Sequence, residues 1–239
     1  MQIISTGQAA DKAAKYLSEL ITDKLATYKV LLLLAGGSAN DVYKLVPEYL
    51  SGTDLSGLTV IMGDERWNAE PQHNDSDWKH FQQTAFYGLL KQKGALTVNI
   101  LHGKALEAET AEYAEFLEQA LANKYYVIAQ LGVGADGHTA GIIPAPLQQF
   151  LEVFDTEALA VAHHLDPKHR DRITISLAML DRINDFVLYG VGEAKRSVIH
   201  KIQQNLQSDT KDIMADLHNT PVLYVCSKSA KLFTDLKLV

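Results

Sequence analysis

The chain has 239 residues, 47% hydrophobic and 21% charged, which is enough apolar material for one or two ordinary globular domains. A formal net charge of −7 argues against a nucleic-acid partner, and no apolar run is long enough to cross a bilayer. The single cysteine, Cys226, excludes an intrachain disulfide framework and a cysteine-based metal centre. Together with an N-terminus, MQIISTGQAADK, that lacks a basic and apolar leader, it fits a cytoplasmic protein.

Helix-like and strand-like segments alternate along the chain. Residues 7–26 predict an amphipathic helix with Ala13, Leu17, Leu20 and Ile21 on one face. Val30–Leu34 is a continuous apolar run, as in a strand covered on both faces. Residues 38–50 predict a helix whose end is blurred by Pro47, and residues 58–62 a second buried strand. A helix over 76–90, a short strand over 97–101 and a helix over 105–122 follow, then a strand over 125–129. Beyond these, strands are expected at 158–162, 172–176 and 186–191, a helix at 193–205, a last strand at 222–226 and a terminal helix at 229–236. There is no internal repeat and no linker-like tract, so residues 1–239 are expected to form a single domain. The alternation predicts an α/β fold: a three-layer, doubly wound, mostly parallel sheet with helices on both faces. An eightfold barrel fits the irregular spacing poorly.

The most informative segment is Leu131–Pro144, LGVGADGHTAGIIP. It leaves a buried strand, and Gly132, Gly134 and Gly137 allow a tight turn that a ligand can approach. Asp136 and His138 lie within that turn, and an aspartate can set the tautomer and basicity of an imidazole. The ends of central strands in such sheets are where ligands bind. GVGADG formally matches the dinucleotide fingerprint, but Pro144 and Pro146 leave no room for the long helix which that motif must open.

Other loops add charge. Gly36-Gly37-Ser38 connects a strand to a helix and can offer backbone N–H groups and a hydroxyl to an anion, although no Walker lysine follows. Gly63-Asp64-Glu65-Arg66-Trp67 places two carboxylates and an arginine directly after a buried strand, and Arg66 can hold a carbonyl or carboxylate oxygen. Arg172 opens a strand, and Lys195 follows Gly190-Val191-Gly192, where a cation at a helix start makes sense with an anionic partner. No HExxH or GxSxG is present, and His73, His80 and His102 lack metal-like spacing, so neither a metal site nor a serine nucleophile is expected.

In chain order, AGGS at Ala35–Ser38, GDERW at Gly63–Trp67, HNDSD at His73–Asp77, LGVGADGHTAGIIP, RITIS at Arg172–Ser176 and GVGEAK at Gly190–Lys195 resemble the 6-phosphogluconolactonases. These belong to a superfamily with the glucosamine-6-phosphate deaminases. The resemblance implies hydrolysis of 6-phospho-D-glucono-1,5-lactone in the oxidative pentose phosphate pathway, without a cofactor; whether by a monomer or homodimer is left open by the sequence. It implies a phosphate cradle of Gly36, Gly37, Ser38, Arg172 and Lys195, with Asp64 also on the substrate. It makes His138 the base that activates water, Asp136 its companion and Arg66 the residue facing the lactone. The developing oxyanion would rest on Arg66 or on N–H groups of the Gly134–Gly137 turn. The chain departs from the lactonases where Asp77 replaces their usual Asn and Gly141 their usual Ser. The deaminases carry a tyrosine in place of Arg66 and follow their Asp-Gly-His turn with Phe-Asn-Glu, whereas this chain has Gly141-Ile142-Ile143. A deaminase-like isomerase and a non-catalytic sugar-phosphate sensor are the alternatives.

Overall fold

In the computed structural model, which describes residues 1–165, 171–207 and 216–238, the apolar runs stack as neighbouring strands. Strands β1 (Gln2–Ser5), β2 (Val30–Leu34), β3 (Leu58–Met62), β5 (Leu96–Thr97), β6 (Tyr126–Gly132), β9 (Asp185–Tyr189) and β10 (Ala230–Thr234) form one parallel sheet. Their order is β1-β10-β9-β6-β2-β3-β5. The short strands β4 (Asp64–Arg66), β7 (Ala160–His163) and β8 (Arg172–Ile175) form a second, antiparallel sheet in the order β4-β8-β7. Every residue of β2 and β3 is buried, which is why both read as unbroken apolar runs rather than alternating ones.

Winding runs outward in both directions from the centre. From β2 the chain moves to β3 and β5, and from β6 it moves to β9 and β10. The sheet therefore has its switch point between β2 and β6, and the loops leaving their carboxyl ends flank a crevice. Those loops are Ala35–Ser38 and Val133–His138. The expected fold class, a mostly parallel α/β sheet with helices around it, is the observed one. Helix α1 (Ala9–Leu25) buries Ala13, Ala14, Leu17 and Ile21 and packs on β9 and β10.

Several expected elements are divided or replaced. The stretch 38–50 is a 3-10 turn, Gly37–Ala39, then helices α2 (Asn40–Tyr43) and α3 (Val46–Leu50), because Pro47 can only sit in the first turn of a new helix. The stretch 76–90 is two helices, α4 (Asp77–Gln82) and α5 (Ala85–Gln92). Thr84 starts the second as N-cap, its hydroxyl accepting from Tyr87 N. Helix α6 (Leu106–Ala122) matches its expected span, whereas of the expected strand at 97–101 only Thr97 lies in a strand, β5, which pairs with β3. Helices α7 (Leu147–Phe154) and α8 (Leu177–Leu180) were not anticipated. Helix α9 (Arg196–Gln207) begins after a 3-10 turn, Glu193–Lys195.

The C-terminal region corrects two expectations. Pro221–Ser227 is a 3-10 helix, not a strand, and Ala230–Thr234 is a strand, not part of a helix. Leu232 and Phe233 are buried where β10 slots between β1 and β9. Tertiary pairing decides the state of so short an apolar run, and the local pattern does not. The N-terminal strand β1 exists only as a partner of β10, so it was missed for the same reason.

Candidate active site

A cleft of about 160 Å³ opens at the switch point and is lined by the ends of β2, β4, β6 and β8. It brings together Gly36, Gly37, Ser38, Asp64, Arg66, His138, Arg172 and Lys195. Asp136 stands behind His138. Asp77, which the sequence marked only as a departure from the lactonase pattern, also lines this cleft.

The His138 turn is built by its glycines. Gly137 has φ +93°, and Gly134 N–H donates to His138 O at 2.8 Å while Gly137 N–H donates to Gly134 O at 3.1 Å. A methyl group on Gly134 would lie 2.2 Å from His138 Nδ1 and 2.5 Å from Asp136 Oδ1, so the Asp–His pair rests directly on that backbone. The hydrogen bonds of Gly134 and Gly137 have a chemical consequence. These two N–H groups of the Gly134–Gly137 turn are engaged inside it and are not free for an oxyanion.

His138 Nδ1 lies 2.6 Å from Asp136 Oδ1, which also accepts from His138 N at 3.1 Å. A carboxylate can only accept, so Nδ1 carries the proton and Nε2 offers its lone pair. Partial burial works against the charge of Asp136, but the hydrogen bond and charge of His138 outweigh it and lower its pKa to about 2. The turn is held from beyond: Thr139 and Ile142 form a bridge, Gly141 N donates to Thr174 Oγ1 at 3.0 Å, and His163 Nε2 donates to Gly141 O at 2.8 Å. Ala140, which lines the cleft, takes φ +48°, a left-handed conformation uncommon outside glycine. A serine at position 141 would bring its Cβ within 2.7 Å of Thr174 Cβ, which accounts for the glycine.

Another wall of the cleft is built from charge. Antiparallel pairing sets Arg66 across from Arg172 and Asp64 across from Thr174. Arg172 Nη1 bonds Asp64 Oδ2 at 2.7 Å, with both side chains buried. Arg66 Nη1 bonds Asp77 Oδ1 at 3.0 Å and the carbonyl of Asp75 at 2.7 Å. Glu65 is fully buried and accepts from the backbone of Arg66, Asp77 and Trp78 and from the Ser76 hydroxyl. Burial pushes its pKa up while these donors pull it down. Glu65 therefore fixes the corner at residues 76–78 and is engaged on both oxygens.

On the β2 side, Gly37 adopts φ +62°, a left-handed value that suits glycine. No hydrogen bond joins the N–H of Gly37 or Ser38 to another described residue. The strand end is anchored by the buried Tyr43 hydroxyl, which bridges the Ala35 backbone and Gln130. The side-chain amine of Lys195, from the 3-10 turn before α9, makes no hydrogen bond or salt bridge with a described residue, and partial burial lowers its pKa.

Outside the cleft, His102, Glu109 and Glu112 come close enough to share an ion, although spacing alone suggested nothing there. Glu109 accepts from the backbone N–H groups of His102 and Lys104 and so serves the start of α6. No helix among the described residues is long and apolar enough to cross a membrane.

The family of glucosamine-6-phosphate isomerases and 6-phosphogluconolactonases matches residues 5–233. The chain belongs to this family. A glucosamine-6-phosphate deaminase of Staphylococcus haemolyticus is 28% identical over 225 residues, covering 89% of this chain and 90% of that protein. A 6-phosphogluconolactonase of Chlamydia trachomatis is 26% identical over 195 residues, covering 81% and 72%. The solved 6-phosphogluconolactonase of Shewanella baltica superposes with a TM-score of 0.72 at 24% identity, covering 98% of this chain and 96% of its own, and so shares the fold. Both branches of the family are thus similar to the chain, and the choice between them rests on the cleft.

Proposed function

We propose that this family member is a 6-phosphogluconolactonase that hydrolyses 6-phospho-D-glucono-1,5-lactone to 6-phosphogluconate, the whole chain forming one catalytic domain in the cytoplasm. The observation that carries the reading is the Asp136–His138 pair, which keeps the proton on Nδ1 and leaves Nε2 as a base in the same cleft as Arg66 and the Gly36–Ser38 loop. His138 Nε2 takes a proton from water as its oxygen attacks C1 of the lactone. Arg66 stabilises the negative charge that develops on the carbonyl oxygen. Collapse of the tetrahedral intermediate breaks the C1–O5 bond, and the imidazolium returns its proton to O5. The loop Gly36–Ser38, Arg172 and Lys195 hold the phosphate and so position the reacting carbonyl. Asp64 supports that cradle through its pair with Arg172.

The test is a coupled assay with freshly made lactone, followed against its spontaneous opening. Turnover well above the spontaneous rate, lost in His138→Asn, is expected. Equal rates with and without the protein would end the reading.

A second reading, glucosamine-6-phosphate deamination, is favoured by the similarity to the staphylococcal deaminase. Against it, Gly141, Ile142 and Ile143 after the His138 turn are buried and carry no acid that could serve ring opening. Ammonia released from glucosamine 6-phosphate would favour this second reading over the first.

A further inference from the structure

Among the described residues, Asp77 is the one charged residue of the cleft that the mechanism above does not use. Its side chain is 4% exposed, and it opens α4 at the corner fixed by Glu65. A methyl group added to Gly36 would lie 2.1 Å from Asp77 Cγ and Oδ1 and 2.5 Å from Oδ2. The carboxyl group therefore lies flat against the loop assigned to the phosphate, and nothing larger than glycine fits beneath it.

A carboxylate at that position opposes an incoming phosphate dianion at close range, in a partly desolvated cleft where such repulsion is poorly screened. A neutral carboxylic acid at the same position does the reverse, because its O–H can donate to a phosphate oxygen. We infer that Asp77 is the proton-controlled element of the phosphate subsite: the cleft takes up the phosphate together with one proton, which resides on the Asp77 carboxyl.

The groups around Asp77 agree with this assignment. Arg66 of β4 donates to its Oδ1, while Asp64 and Glu65 of β4 repel its charge, and Arg172 of β8 attracts it. Lys195 and His138 line the same cleft. On α4 itself, Lys79 is turned away, its Nζ held by the carbonyl of Gln72 and by Asn74. Burial is the dominant influence and lifts the Asp77 pKa to about 7, so that the acid is readily available near neutrality. Arg66 also donates to the Asp75 carbonyl, an anchor that does not depend on the charge of Asp77.

The inference rests on the lactonase reading, and the experiment separates the two. The dissociation constant of 6-phosphogluconate is measured between pH 6.5 and 8.5 for the wild type and for Asp77→Asn, in which an amide replaces the acid. A phosphate monoester is already largely dianionic above about pH 6, so its own titration contributes little at the upper end. The wild type should lose affinity by about tenfold per pH unit above 7, as linkage to one proton requires. Asp77→Asn retains His138 and Lys195, should change by less than about threefold per unit, and should bind more tightly than the wild type at pH 8.5. Parallel profiles for the two proteins would overturn the role of Asp77. Failure of both to bind at any pH would instead remove the lactonase reading and this inference with it.

Two measurements on the wild type need no variant. Calorimetric titration at pH 8 in buffers of different ionisation enthalpy should register uptake approaching one proton per ligand bound, and an uptake near zero would overturn the proposal. Infrared difference spectra should gain the carbonyl stretch of a protonated carboxyl group on ligand addition, and its absence would likewise count against Asp77.

Discussion

The glycine turn at Val133–His138 and the wall made by β4 and β8 line one cleft, yet the chain builds them in different ways. In the turn, the partners Asp136 and His138 are two residues apart, with side chains 56% and 40% exposed. In the wall, Asp64 and Arg172 are 108 residues apart, and their side chains are 6% and 10% exposed. A mostly solvated pair adds little to stability, so its residues can be replaced with effects confined to chemistry. A buried ion pair left with one partner weakens the whole fold. The two parts of the cleft should therefore respond to substitution in different observables.

The largest separation is expected at the turn. His138→Asn should lower kcat of lactone hydrolysis by about 10²–10⁴-fold, roughly 3 to 5 kcal/mol in the barrier, with a modest change in KM. Its denaturant midpoint should stay within about 0.5 kcal/mol of the wild type, as for an exposed position. A kcat above about a tenth of the wild-type value would make His138 a turn residue and no base. The other carboxylates would be poor replacements: Glu65 is engaged on both oxygens, and Asp64 is paired with Arg172.

At the wall, Arg172→Ala should cost both properties together. Asp64 would be left buried without this partner, which typically costs about 3 to 5 kcal/mol of stability. Affinity for 6-phosphogluconate should fall by a comparable amount, while unphosphorylated gluconolactone should be turned over little differently by the folded fraction. Chemical denaturation and ligand titration check the two halves of this expectation. In the double variant Asp64→Asn, Arg172→Ala, the stability loss should be smaller than the sum of the single losses. Additive losses would mean that the 2.7 Å contact carries no coupling.

The same contrast explains what could be read from the sequence. The turn, the apolar strands β2 and β3 and the amphipathic α1 are specified by neighbours in the chain, so period and glycine spacing reveal them. Strand β1 takes its state from β10 across more than two hundred residues, β10 takes its own from β1 and β9 together, and nothing local distinguishes Ala230–Thr234 from a helical turn. Asp77 belongs with them. Its place over Gly36 depends on Glu65 gathering the N–H groups of Asp77 and Trp78, a contact between strand and helix with no sequence period. The available signal was the unusual density of acids in GDERW and HNDSD, which reads equally as solvated loop.

Asp77→Asn sharpens the comparison from the side of pH. The carboxyl has a pKa of about 7 in the fold, above its unfolded value of 3.8, so the folded protein binds the proton more tightly. Its contribution to stability is full below about pH 4 and is lost as pH rises through 7. At pH 8 the asparagine variant should accordingly be more stable than the wild type by about 1 to 3 kcal/mol, and near pH 4 the two should coincide. Urea midpoints across this range test it. A variant that is less stable at pH 8 would mean that the ion pair with Arg66 outweighs the burial of charge.

Asp136 should show the opposite sign and a smaller size. Its folded pKa is about 2 against 3.8 unfolded, so its contribution is present above about pH 4 and disappears as pH falls through 2. The side chain is more than half exposed, and screening reduces the contribution to less than about 1 kcal/mol. Asp136→Asn should therefore unfold only slightly earlier in urea at pH 7, and that difference should vanish near pH 2. In catalysis the variant should lose less than His138→Asn, because an amide oxygen still accepts from Nδ1 but no longer offers a charge to the imidazolium. Measured together, kcat and the acid limb of stability separate the orienting role of Asp136 from any structural one. A kcat equal to that of the wild type would remove Asp136 from the catalytic pair, even if the acid limb behaved as expected.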